Sequence, residues 1–118
     1  MDSVGELLGS LVVELKRGTL VLTVLSQLRT KEYGYSLVQK LEEKNVPIEA
    51  GTLYPLLRRL EKQGLLHSEW DTSESRPRKF YVLSEKGKVI YIQMKKEWRT
   101  ISGQMEMLLK GEEGHESD

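Results

Sequence analysis

The stretch Glu49-Ala50-Gly51-Thr52-Leu53-Tyr54-Pro55-Leu56-Leu57-Arg58-Arg59-Leu60-Glu61 decides how the rest of this chain is read. Leu53, Leu56, Leu57 and Leu60 stand at i, i+3, i+4 and i+7, on one stripe of an α-helix. Gly51, Pro55, Arg58, Arg59 and Lys62 fall on the opposite side. An apolar stripe backed by cations lets a helix stay attached to its own core while its outer face enters a groove of DNA. Pro55 has no N–H to donate and is tolerated near a helix start, which puts the first turn at about Ala50. Gly64 is a good stop, so the helix is expected to reach about Gln63.

Upstream, Ser3 to Leu28 has a helical pattern, with Leu7, Leu8, Leu11 and Leu15 on one stripe and a nearly continuous apolar run from Leu20 to Leu28. Gly5, Gly9 and Gly18 each weaken a single uninterrupted helix by up to about 1 kcal/mol relative to Ala. The expectation is a separate or frayed first piece and then a firm helix from about Val12 to Leu28. Thr30 to Gly34 is polar and reads as a turn. Tyr35 to Asn45 reads as a helix with Leu37, Val38 and Leu41 inward, ended by Asn45-Val46-Pro47 because Pro47 disfavours helix at Val46.

Downstream, Leu65 to Trp70 and Lys79 to Leu83 are strand candidates around a turn rich in Ser, Asp, Glu and Pro. They predict a hairpin tipped by Arg76, Arg78 and Lys79. Ser84 suits the N-cap of a last helix, with Glu85 at the positive end of its dipole. That helix is expected to reach Lys110 and to stop at Gly111. Tyr91, Met94, Trp98, Ile101, Met105 and Leu108 alternate steps of three and four along it, the seam of a helix that packs along another long helix.

The fold class read from this order is mainly α with a small β-hairpin: a winged helix-turn-helix domain plus a long C-terminal dimerisation helix. The expected units are a winged-helix DNA-binding domain over 1–84, whose segment 1–12 aids dimerisation, the helix over 85–110, and a disordered acidic tail over 111–118. At 118 residues and 38% hydrophobic content the chain has a modest core, so help from an oligomer is plausible. Net charge is formally zero, but Glu112, Glu113, Glu116 and Asp118 crowd the last eight residues. Affinity for DNA must therefore come from locally placed charge. The absence of cysteine excludes disulfides and thiolate metal sites and suits a reducing cytoplasm. No run of about 18 apolar residues exists to span a membrane, and Met1-Asp2-Ser3 lacks the basic start of a signal peptide. His67 and His115 lack partners at metal-ligand spacing, and no nucleophile–base arrangement or phosphate loop is visible, so no cofactor, metal or enzyme activity is expected.

Leu15-Lys16-Arg17-Gly18-Thr19-Leu20, Tyr33-Gly34-Tyr35 and above all the run from Gly51 to Leu65 resemble the PadR family of bacterial transcriptional regulators. The likeness continues through Glu69-Trp70, Arg76-Pro77-Arg78-Lys79-Phe80-Tyr81 and Leu83-Ser84-Glu85-Lys86-Gly87. It covers about residues 15–87, and the run Gly-Thr-Leu-Tyr-Pro-Leu-Leu is its specific part. The single long last helix resembles the short members, which dimerise through it. The resemblance implies a dimeric winged-helix repressor, often released from DNA by a small aromatic ligand. Two positions depart: Tyr33 stands where the family often has His, and Glu49-Ala50 where Ser and then a small residue or Pro is common.

Candidate DNA-binding residues are Tyr35, Ser36, Thr52, Tyr54, Arg58, Arg59, Arg76, Arg78 and Lys79. Hydroxyls of Thr52 and Tyr54 can donate to phosphate or base edges; packing of the Tyr54 ring against the preceding helix is the other reading. Arg58 or Arg59 can pair with guanine O6 and N7, or both can belong to a solvated face with Glu61 and Lys62 as partners. The wing cations suit a minor groove but are also ordinary at hairpin tips. Tyr91, Met94, Trp98, Ile101, Met105 and Leu108 are the dimerisation candidates. Trp98, with Met94, Ile101, Leu8 and Val12, is the candidate lining of an aromatic-ligand site near the dimer axis. The short family members that bind planar drugs carry a Trp in a similar place; plain interface packing is the alternative. A protein-binding winged helix without specific DNA affinity is the second function class.

Overall fold

The computed structural model describes residues 3–116. In chain order the elements are α1 (Val4–Arg17), α2 (Leu20–Gln27), β1 (Glu32–Tyr33), α3 (Gly34–Glu43), α4 (Ala50–Lys62), β2 (Leu66–Asp71), β3 (Arg78–Leu83) and α5 (Glu85–Glu116). The strands form one antiparallel sheet in the order β1-β3-β2. Mainly helical, with a small sheet and a long last helix, this is a winged helix as the pattern predicts.

The core lies where α2, α3 and α4 meet the inner face of the sheet. The stripe Leu53, Leu56, Leu57 and Leu60 is buried, joined by Val24, Leu25, Leu28, Leu37 and Leu41. α3 ends on Asn45 in the left-handed region, φ 62°, with the Val46 N–H on the Leu41 carbonyl at 2.9 Å. α4 ends the same way on Gly64, φ 83°, with Leu65 N–H on the Leu60 carbonyl at 3.0 Å. Pro55 lies inside α4, and Gly51, whose carbonyl it leaves without an intrahelical donor, is exposed to water.

Three expectations need correction. The N-terminal helix breaks at Gly18-Thr19, not before Val12: Thr19 turns its hydroxyl and its N–H onto the Lys16 carbonyl, at 2.8 and 3.0 Å. Thr30 to Gly34 is not all turn, because Glu32 and Tyr33 pair with Tyr81 and Phe80 as an edge strand. The last helix passes through Gly111 to Glu116. An isolated glycine costs a helix about 1 kcal/mol but does not end it unless the chain turns left-handed there. The helix therefore covers part of the stretch expected as a disordered tail over 111–118, and Ser117 and Asp118 lie outside the described residues.

Ser84 caps α5 as expected. Its hydroxyl donates to the Gly64 carbonyl at 2.6 Å and accepts from the Gly87 N–H at 2.9 Å. α5 packs chiefly on α2 and β3, with Ile90, Tyr91 and Met94 against the core. Beyond that it extends alone and gives the molecule extents of 65 × 37 × 23 Å. Among the described residues no helix is long and apolar enough to cross a membrane.

Candidate nucleic-acid interface

Burial of the leucine stripe leaves Thr52, Pro55, Arg58 and Arg59 exposed on the far side of α4. Neither arginine has a carboxylate within ion-pair distance among the described residues. Glu61, their expected partner, turns instead toward the sheet. It accepts from the Ser68 hydroxyl and lies 3.4 Å from the Lys79 ammonium, and both contacts hold its carboxyl below the usual range despite partial burial. Tyr54 is half-buried, its ring against the start of α3. A Cβ on Gly34 would lie 2.5 Å from Tyr54 Cε1, so only glycine fits there as the chain stands. This is the packing reading of Tyr54. A cleft of about 210 Å³ beside the ring is lined by Tyr33, Tyr35, Arg78, Lys79 and Tyr81.

At the start of α3, Tyr35 is 68% exposed and its hydroxyl accepts from the Gln39 side chain at 3.1 Å. Ser36 is half-buried, with its hydroxyl 3.0 Å from both the Glu32 carboxylate and the Tyr33 carbonyl. Glu32 also pairs with Lys40 at 2.9 Å. Of these two candidates only Tyr35 presents its side chain outward.

The wing cations differ from one another. Arg76 is exposed and has no ion-pair partner among the described residues. Arg78 stacks 4.2 Å over the Tyr33 ring, 3.3 Å from Glu74 and 3.9 Å from Asp71. Lys79, besides its contact with Glu61, lies 5.5 Å from the Tyr81 ring centre. Asp71 accepts from the Ser73 hydroxyl at 2.7 Å, the Tyr33 hydroxyl at 2.5 Å and the Ser73 N–H at 3.0 Å. Those three donors hold its carboxyl well below the usual range, while the bond to Asp71 raises the Tyr33 phenol. The Tyr33–Asp71 contact leaves no signal in the sequence, since nothing local links positions 38 residues apart until the register is known.

A second surface is apolar. α1 buries none of its residues, and Leu7, Leu8, Leu11 and Leu15 are exposed on it; Val12 is half-buried. Along α5 the expected seam divides. Tyr91 and Met94 serve the chain's own core, whereas Trp98 at 45%, Ile101 at 50%, Met105 and Leu108 face outward. α1 is not among the elements that pack closely on α5 within one chain. No cluster of three metal-ligating side chains occurs among the described residues.

Comparison with known proteins places this geometry. The model of the transcriptional regulator PadR-like family matches residues 21–92, more than half of the chain. The crystal structure of a PadR family transcriptional regulator from Eggerthella lenta superposes with a TM-score of 0.84 at 48% identity, covering 89% of this chain and 94% of that one. Transcriptional regulator Rv3488 of Mycobacterium tuberculosis is 36% identical over 64% of this chain and 71% of its own length. Bacillus subtilis PadR in complex with operator DNA shares the fold at a TM-score of 0.60 and 21% identity, over 64% of this chain and 45% of that one.

Proposed function

This chain belongs to the PadR-like family of transcriptional regulators, and on that premise we propose that it is a cytoplasmic homodimeric repressor that holds operator DNA with α4 and the wing and is released by a small aromatic ligand. Family membership makes it a regulator and not an enzyme. The observation that carries the DNA reading is the pair Arg58 and Arg59, exposed on the outer side of a helix whose other side is core and without carboxylate partners among the described residues. An unpaired guanidinium reaches guanine O6 and N7 without giving up an ion pair. Thr52 precedes them on the same side, and Tyr35 of α3 and Arg76 of the wing are exposed as well. A protein of the same fold, Bacillus subtilis PadR, is known in complex with operator DNA.

The dimer reading rests on α1 and the outer half of α5. Apolar helix faces of this extent are uncommon on a monomer and mark association sites. A two-fold axis would set each α5 against its copy and lay each α1 on the partner's α5. Trp98 then stands near the axis, where two indoles offer their faces to a planar, electron-poor or cationic ring. A ligand wedged between the helices alters the spacing of the two α4 helices, which must match about 34–36 Å on DNA.

One observation favours a protein-binding winged helix instead. Glu49 is exposed at the N-cap of α4 and makes no capping bond, which sets a carboxylate where phosphate would approach. Affinity for the promoter of neighbouring genes, measured over a salt series, separates the two. Arg58→Ala should cost about 1–3 kcal/mol on operator DNA and relax preference at one base position. A wild-type protein that binds no promoter fragment with salt-dependent affinity would be the interaction module.

A further inference from the structure

We propose that the wing is a preset clamp in which Tyr33, Asp71 and Arg78 hold the hairpin to β1, so that Arg78 positions the wing and Arg76 is the wing cation that meets the DNA phosphates. This rests on the DNA-binding reading above. The register carries the argument. Asp71 faces Arg78 across β2 and β3, and Tyr33 faces Phe80 across β1 and β3. Residues two apart on a strand share a face, so Tyr33, Asp71, Arg78 and Phe80 gather on the outer side of the sheet. There the Tyr33 hydroxyl reaches the far strand at Asp71 while Arg78 covers the ring and Phe80 meets its edge, with ring centres 6.2 Å apart. One side chain from a two-residue strand thus stitches all three strands at the root of the hairpin.

Arg78 would have to leave a ring and two carboxylates to reach a phosphate; Arg76 leaves nothing among the described residues. Next to Tyr33 is Gly34, whose missing Cβ admits the ring of Tyr54 from α4. Two consecutive residues therefore join the wing to the recognition helix, and the distance from α4 to Arg76 is set before DNA arrives.

The test pairs two readouts on the full-length protein. One is operator affinity against salt concentration; the other is amide hydrogen exchange over residues 72–79 without DNA. Arg76→Ala should flatten the logarithmic salt slope by about 0.9, one phosphate's share, and leave exchange unchanged. Arg78→Ala and Tyr33→Phe should speed exchange and lower affinity at every salt concentration with the slope retained. Arg78→Lys should behave like Arg78→Ala, because an ammonium keeps the charge but not the planar stack. Full affinity in Arg78→Lys, or a slope flattened by Arg78→Ala as much as by Arg76→Ala, would put Arg78 itself on a phosphate and overturn the assignment. Unchanged exchange in both Arg78→Ala and Tyr33→Phe would remove the clamp. Should the wild type bind no DNA, the function proposed above and the role of Arg76 fall together, and exchange alone decides the clamp.

Discussion

Gly34→Ala tests the joint between α3 and α4 more sharply than any charge deletion. The added methyl would sit 2.5 Å from Tyr54 Cε1 and 3.2 Å from its Cζ and hydroxyl oxygen. Carbon atoms rest about 3.5–4.0 Å apart, so the ring must retreat by roughly 1 Å or more. Overpacking of that kind costs about 1–3 kcal/mol. Against it stands the better helix propensity of Ala, at most about 1 kcal/mol and less at the first position of a helix. The clash wins, and a net loss of about 1–2 kcal/mol is expected. Tyr54→Ala alone should cost about 1–2 kcal/mol for a half-buried ring. In the double variant the methyl has nothing to strike, so its cost should fall short of the sum of the two single costs by at least about 1 kcal/mol. Urea unfolding followed by far-UV circular dichroism reads this, at one fixed protomer concentration because the proposed association would contribute to stability. Costs that add to within about 0.5 kcal/mol would refute the packing account of Tyr54.

Ile101→Glu with Met105→Glu should yield monomers in sedimentation and weaken operator binding; a double variant that stays dimeric removes the α5 seam from the interface. Planar cationic dyes should quench tryptophan emission in a Trp70→Phe background, where Trp98 is the one remaining indole, and a Trp98→Ala protein should lose dye binding while keeping its affinity for DNA. A Trp98 emission indifferent to a broad dye panel would leave a transcriptional regulator without this pocket. Asp71 is held below its ordinary pKa, so its contribution to stability is complete above about pH 4 and is lost as pH falls toward the folded value. Asp71→Asn should therefore flatten the acid limb of the stability curve and leave the slope between about pH 5 and 8 unchanged; an unaltered acid limb would show that Asp71, held by Ser73 and Tyr33, carries no linkage.

The parts legible from sequence are those whose signal is local and periodic. The α4 stripe repeats over two turns, Gly64 and Asn45 take the left-handed positions that end their helices, and Ser84 announces the cap of α5. The outward placement of Thr52, Arg58 and Arg59 on α4 is legible for the same reason, because a stripe defines its opposite side, whereas the inward turn of the Tyr54 ring is not. β1 is not legible, since two residues show no alternation and their partners lie 49 and 47 residues further on, across the register Glu32 to Tyr81 and Tyr33 to Phe80. Without β1 the Tyr33–Asp71–Arg78 contact cannot be foreseen, and three wing arginines and lysines look equivalent. Along α5 the apolar period is plain, but period does not tell which turns face the chain's own core and which face outward. Tyr91 and Met94 pack inward only because the wing domain covers the first turns.

The attachment of α5 to α4 gives the proposed dimer a mechanical consequence. The carbonyls of Gln63, Gly64 and Leu65, at the end of α4, are taken by the Lys86 ammonium at 3.2 Å, the Ser84 hydroxyl at 2.6 Å and the Ser84 N–H at 3.0 Å. Orphan acceptors at one helix end thus meet donors at the start of the next, and the two helices are fastened where each would otherwise fray. Gly87 tightens the joint further, since a Cβ there would fall 2.0 Å from the Leu65 carbonyl oxygen. Trp98 lies fourteen residues along α5 from Ser84, about 21 Å at 1.5 Å rise per residue. A tilt of about 5° pivoting at Trp98 then moves Ser84, and the end of α4 with it, by roughly 2 Å, comparable to the helix shifts that switch other regulated assemblies. Two copies moving in opposite senses double the change in α4 spacing. A ligand between the two Trp98 side chains needs only to favour one tilt and DNA another for the two to exclude each other.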